Sequence, residues 1–92
     1  MASPAKKIRV GNLQIVIWRN TNSDKGTTWY SIDPVRSYKK GDETWKETTS
    51  FGEDDALIMA ELFRQAWAWI VRQRQADHDA RKARKEATTG DE

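Results

Sequence analysis

The sequence predicts an α+β domain: a small antiparallel sheet of three to four strands, then one long C-terminal helix packed on it, in the order β-β-β-α. Three observations carry this. Residues 8–51 hold short alternating runs separated by turns rich in Gly, Asn and Asp, as strands do. From Ser50 onward the apolar period lengthens to that of a helix. Strands that come in a run before a helix, rather than alternating with helices, argue α+β. The chain has 92 residues, which is room for one thin core, since a fold of this size buries only about 60–65% of its unfolded surface.

Residues 1–7 are expected to form a disordered basic N-terminus, residues 8–75 the single domain, and residues 76–92 a polar helical extension and disordered tail. The β pattern starts at Ile8 in IRVGNLQIVIW. Leu13, Ile15 and Ile17 share one face, and Gln14, Val16 and Trp18 share the other. A strand apolar on both faces is usually covered on both. RNTNSDKGTT has the composition of a hairpin loop. The second strand is TTWYSIDPVRSYK, where Tyr30, Ile32, Arg36 and Tyr38 share a face if alternation survives Pro34. Pro34 cannot donate to a ladder, so the strand is at an edge there or carries a bulge. KKGDE is the next turn. The third strand, TWKETTSF, sets Trp45, Glu47, Thr49 and Phe51 against Lys46, Thr48 and Ser50. Alternation alone does not say which of these faces is buried.

The helix begins after Ser50-x-x-Glu53, which has capping-box spacing, with Gly52 or Glu53 as the alternative cap. Glu53, Asp54 and Asp55 suit the positive end of the helix dipole, and Arg72 and Arg74 suit the other end. Ile58, Met59, Leu62, Phe63, Ala66, Trp69 and Ile70 make one broad apolar stripe at about 100° per residue. Ala60, Trp67 and Val71 lie beside it, and Leu57 and Ala68 further round. That arc is wider than one sheet needs. It predicts a second partner, most simply another copy of the chain, with Ala60, Trp67 and Val71 at the interface. Beyond Gln75 the helix is expected to run on in solvent to about Lys85.

Composition excludes several functions. With no cysteine there is no disulfide framework, thiolate nucleophile or cysteine-bound metal. No apolar run approaches the ~20 residues of a membrane span. MASPAKKIRV lacks the apolar core of a secretory signal, so a bacterial or phage cytoplasmic protein is expected. The single His78 lies in the polar tail, where a solvated role is the simpler reading. GEDD (52–55) could hold Mg²⁺ in principle, but the helix dipole explains these acids. Neither a catalytic set nor a phosphate loop is present, so no enzyme, metal, cofactor or small-molecule substrate is expected.

What remains is charge and rings. Net charge is only +2, but bases exceed acids at both ends. Residues 10–71 hold seven bases and nine acids. Basic side chains also alternate with aromatics in the strands: Trp18-Arg19, Trp29-Tyr30, Arg36-x-Tyr38-Lys39-Lys40 and Trp45-Lys46. Single-stranded nucleic acid is recognised by this chemistry, rings stacking on bases and cations following phosphates. The candidate contacts are Trp18, Arg19, Trp29, Arg36, Tyr38, Lys39, Lys40 and Lys46. A homodimer that binds single-stranded DNA in preference to duplex is the leading expectation. A protein–protein adaptor working through the helix is the alternative.

The segments IWRN (17–20), YSI (30–32), RSYK (36–39), WKETTSF (45–51), Asp54-Asp55 and Trp69-Ile70 resemble a pattern shared by a set of small bacterial and mobile-element proteins of uncharacterised function, over residues 10–71. The order of elements bears a more remote likeness to the positive-cofactor-four and Whirly single-stranded-DNA-binding proteins. That likeness implies a curved antiparallel sheet, a C-terminal helix, a dimer, and aromatic and basic contacts to the strand. The chain departs from it in showing three clear strands where four are implied, unless the second bends at Asp33-Pro34, and in lacking that family's loop sequence.

Overall fold

The computed structural model of the chain describes residues 3–41 and 43–90, with side chains as far as Arg84. Its elements are β1 (Lys6–Val10), β2 (Leu13–Asn22), β3 (Thr27–Lys40), β4 (Thr44–Thr48), a one-turn 3₁₀ segment (Glu53–Asp55) and α1 (Ala56–Gly90). The strands form one antiparallel sheet in the order β1-β2-β3-β4. The α+β class therefore holds, with four strands before the helix.

The additional strand comes from splitting IRVGNLQIVIW. Gly11, at φ 58°, turns the chain between Val10 and Leu13, which pair across the hairpin. Glycine adopts that left-handed conformation without the Cβ clash of other residues. Lys6 and Lys7, expected in a disordered N-terminus, thus belong to β1, and Met1 and Ala2 lie outside the described residues. The loop RNTNSDKGTT shrinks to four residues. Asn22 Oδ1 accepts from the Asp24 amide at 3.0 Å, and the Asn22 carbonyl accepts from Gly26 N–H at 2.7 Å. β3 is continuous through Pro34, and its register with β2 runs from Asn22↔Thr27 to Leu13↔Arg36 without a bulge. β4 pairs only with residues 36–40, so Pro34 faces an unpaired side and its missing N–H breaks no ladder.

α1 lies across β1, β2 and β3 on one face of the sheet. The core is a single layer in which Leu13, Ile15 and Ile17 of β2 meet Met59, Leu62 and Ala66 of the helix. Ile8, Tyr30, Ile32, Phe51, Trp69 and Ile70 close its edges. The buried stripe is narrower than the sequence pattern suggested, because Ile58 and Phe63 are each 39% exposed. A flat sheet touches only a limited arc of a cylinder. Phe51 packs into the core, whereas Trp45 and Glu47 turn away from it, because strand alternation ends with β4 at Thr48. The cap is Gly52: its N–H donates to Asp55 Oδ2 at 2.9 Å, and Asp55 N–H returns to the Gly52 carbonyl at 3.0 Å.

The second face of the sheet was expected to be covered, given the apolar residues on both sides of β2. Among the described residues no element lies over it. Val16 is nonetheless buried there, flanked in register by Lys7 and Asp33 and along its own strand by Gln14 and Trp18. Side chains within the face do the screening that a second layer would otherwise supply.

Candidate nucleic-acid interface

Strand register fixes what the open face carries. Starting from Val16, the pairs Val16↔Lys7, Val16↔Asp33, Gln14↔Arg9, Trp18↔Ser31 and Asn20↔Trp29 share that face, as do Ser37↔Glu47 and Lys39↔Trp45. Three tryptophans (Trp18, Trp29 and Trp45) and three cations (Lys7, Arg9 and Lys39) therefore stand on one uncovered surface. Trp18 and Trp29 are diagonal neighbours, a relationship that sets residues roughly 7–8 Å apart, with their Cβ atoms somewhat closer. From Trp29 to Lys39, which is opposite Trp45, β3 runs ten residue steps, about 33 Å at ~3.3 Å per step.

The rings differ in freedom. Trp18 is half-buried and its indole N–H donates to Asp33 Oδ2 at 2.9 Å, which fixes its plane. Trp29 and Trp45 are 51% and 64% exposed. A shallow depression of about 590 Å³ adjoins Trp45, lined also by Arg9, Ser37, Lys46 and Glu47. Trp45 thus shares a depression with the cations Arg9 and Lys46, an arrangement in which a base can stack on the ring while its phosphate is neutralised.

Of the eight residues expected to make contacts, only Trp18, Trp29 and Lys39 lie on this face. Arg19, Arg36, Tyr38, Lys40 and Lys46 have the opposite parity, although Lys46, on the edge strand, still reaches the depression beside Trp45. Two of these arginines are tied down. Arg36 Nε donates to the Ser50 carbonyl at 2.9 Å, stands 3.8 Å from Asp55 Oδ2 and lies over the Tyr38 ring at 5.7 Å. It clamps β3 to the start of the helix. Arg19 donates through Nε to the Tyr30 hydroxyl at 3.3 Å and through Nη2 to Asp77 Oδ1 at 3.1 Å. The open-face residues missed from the sequence are Lys7, Arg9 and Trp45. The signal for the first two was the Gly11-Asn12 turn, because once β1 and β2 are separate strands their parity follows.

Arg19, Tyr30 and Asp77 form a small polar network at the far end of the core. Tyr30 donates to Asp77 Oδ2 at 2.8 Å, and its ring meets Trp69 edge-on with centroids 6.0 Å apart. The Tyr30 and Arg19 hydrogen bonds hold Asp77 below the usual carboxylate range. Burial, then the bond to Asp77, pushes the Tyr30 phenol up. On the outer side of the helix Ala60, Trp67 and Val71 are all exposed, Trp67 by 68%. Among the described residues no group of three or more His, Asp or Glu side chains could hold a metal ion, and no helix is long and apolar enough to cross a membrane.

No family model matches the chain, and neither a curated protein nor a solved structure matches it.

Proposed function

We propose that the protein binds single-stranded nucleic acid, with DNA the leading candidate, on the open face of its sheet, as an accessory or regulatory protein and not as an enzyme. The observation that supports this reading is the joint presence of Trp18, Trp29 and Trp45 with Lys7, Arg9 and Lys39 on a surface that no element covers. Exposed rings on a sheet offer stacking platforms, each worth about 1–3 kcal/mol per base, and duplex DNA, whose bases are already stacked, cannot use them. Acids on the face are few: Asp33 is engaged by Trp18, and Glu47 lies opposite Ser37. Four strands before the helix is also the element order that the likeness to positive-cofactor-four and Whirly proteins implies. Fold analogy says little about function by itself, so the reading rests on the residues.

The test is a fluorescence titration with a labelled single strand of about 20 nucleotides, longer than the roughly 4–16 that one small β domain engages, and with the matching duplex, at low and moderate salt. Preference for the single strand, weakened by salt and by Trp29→Ala with Trp45→Ala, is expected. Absence of binding at low salt removes the proposal.

A second reading has its own observation. Leu57 is 85% exposed and Trp67 68% on the helix side away from the sheet, and tryptophan is a frequent interface anchor. In the first reading this stripe joins two copies of the chain and brings two open faces into one assembly. In the second it receives a different protein and no nucleic acid is bound. Trp67→Glu separates them. Monomers with weakened DNA binding favour the first, and an unchanged mass with loss of a cellular partner favours the second.

A further inference from the structure

The polar network at Asp77 borders a cleft that the nucleic-acid reading does not use. It opens between the tip of the β2–β3 hairpin, at Gly26 and Thr28, and α1 from Arg74 to Arg84, with a volume of about 350 Å³. Its walls carry four arginines (Arg19, Arg74, Arg81 and Arg84) against one acid, Asp77. Asp77 is already matched by Arg19 and Tyr30. With Arg19 paired to Asp77 and Arg84 already engaged, the like charges of Arg74 and Arg81 stand on the same concavity, and water screens their repulsion only in part. An arrangement of this kind is relieved by an anion.

Three features narrow the ligand. First, the arginines come from different elements and are held differently. Arg19 is oriented through Nε and Nη2, and its Nη1 amino group makes no hydrogen bond among the described residues. Arg74 and Arg81 have no ion pair or side-chain hydrogen bond among the described residues, whereas Arg84 is already engaged. Second, Arg74 and Arg81 are seven residues apart. They share a helix side and stand about 10 Å apart along the axis, wider than one carboxylate or one phosphate spans. Third, the lining holds no Trp, Tyr or Phe, and His78 is its one ring, so charged forks outnumber stacking surfaces in the cleft. Planar guanidinium forks match phosphate oxygens two at a time. A carboxylate satisfies one fork, whereas a diphosphate or triphosphate offers oxygens to three.

We infer that the cleft between the β2–β3 hairpin and the distal part of α1 is a binding site for a compact polyphosphate group, gripped by Arg19, Arg74 and Arg81. The same chemistry has two sources: a free polyphosphate, or the phosphorylated end of a nucleic-acid strand. The site stands apart from the open face of the sheet.

The experiment is isothermal titration of the full chain with tripolyphosphate at about 0.15 M ionic strength, where weak surface attraction is largely screened. Sulfate is the control for simple anion attraction. Saturable binding of one tripolyphosphate per chain is expected, at least tenfold tighter than sulfate. The Arg74→Gln/Arg81→Gln double variant is expected to weaken it tenfold or more, Arg74→Lys/Arg81→Lys to restore it in part, and Trp29→Ala/Trp45→Ala to leave it unchanged. Both arginines are exposed, and circular dichroism verifies that the variants keep the helix. Binding no tighter than sulfate, or binding unchanged in the glutamine variant, overturns the inference. Comparing a 5′-phosphorylated oligonucleotide with its 5′-hydroxyl twin identifies the source. A preference for the phosphorylated strand that vanishes in the glutamine variant points to strand ends, and equal binding of the two beside intact tripolyphosphate binding points to the free ion.

Discussion

Tyr30 of β3 donates its phenolic proton to Asp77 of α1 across 2.8 Å, joining residues 47 apart in sequence. Asp77 is a polar anchor between helix and sheet beyond the apolar core, which ends at Trp69 and Ile70. Replacing Tyr30 with Phe keeps the ring against Trp69 and removes the bond. A loss of roughly 1 kcal/mol is expected, below the ~1.5–3 kcal/mol of a fully buried hydrogen bond to a charged group, because Asp77 is partly wet. Hydrogen exchange should quicken from about Ile70 onward while the amides of β2 stay protected.

The same pair sets an acid sensitivity. Asp77 has its folded pKa lowered by Tyr30 and then Arg19. Its contribution is therefore present above the unfolded carboxylate value of about 3.9 and is lost as pH falls through the lower folded value. Thermal melts between about pH 5 and 2 should show a shallower decline in Asp77→Asn than in the parent. Parallel curves would mean that ionisation of Asp77 is not linked to folding.

Arg36 looks like a contact residue in the sequence and is a clamp in the structure. Its bond to the Ser50 carbonyl and its approach to Asp55 hold the helix start against β3. Arg36→Ala is expected to lower the unfolding midpoint, by about 1 kcal/mol in free energy, and to leave strand binding within a few-fold. Trp45→Ala should do the reverse: it is 64% exposed, so stability is kept, while affinity for a single strand falls about 5- to 150-fold. Chemical denaturation beside the fluorescence titration reads both.

The core has one layer, so single truncations should be severe. Leu62 is fully buried against β2, and Leu→Ala at such a site costs about 2–5 kcal/mol. A domain of this length has roughly 5–14 kcal/mol in total. Leu62→Ala is expected to lose cooperative unfolding near 37 °C. Leu57→Ala, at 85% exposure, leaves this core intact, so any loss in the same melt reads the outer stripe and not the core.

The class of fold, the long β3 strand and the helix register were legible because each rests on local periodicity. Trp69 reads as core and Trp67 as outside it from helical angle alone, and both are so placed. What was not legible depends on a turn or on a long-range choice. One glycine at Gly11 decides whether Lys7 and Arg9 trail in solvent or join the face that bears Trp18. The sheet side that the helix covers is set by packing with Phe51 and Tyr30, so the aromatic-basic pairs read from sequence fell on both sides. Arg19 and Arg36 carry no sequence mark that tells a clamp from a contact, because their partners Asp77 and Asp55 are distant in the chain.

The 35-residue helix outruns the sheet that supports it, and the molecule measures 67 × 28 × 16 Å. So elongated a body tumbles and sieves as though it were heavier than its 10.6 kDa. A single copy will leave a gel-filtration column early, at the volume of a larger globule, and will look like a pair. Whether Trp67→Glu splits a dimer must therefore be read by sedimentation equilibrium or light scattering, which weigh the particle without reference to its outline.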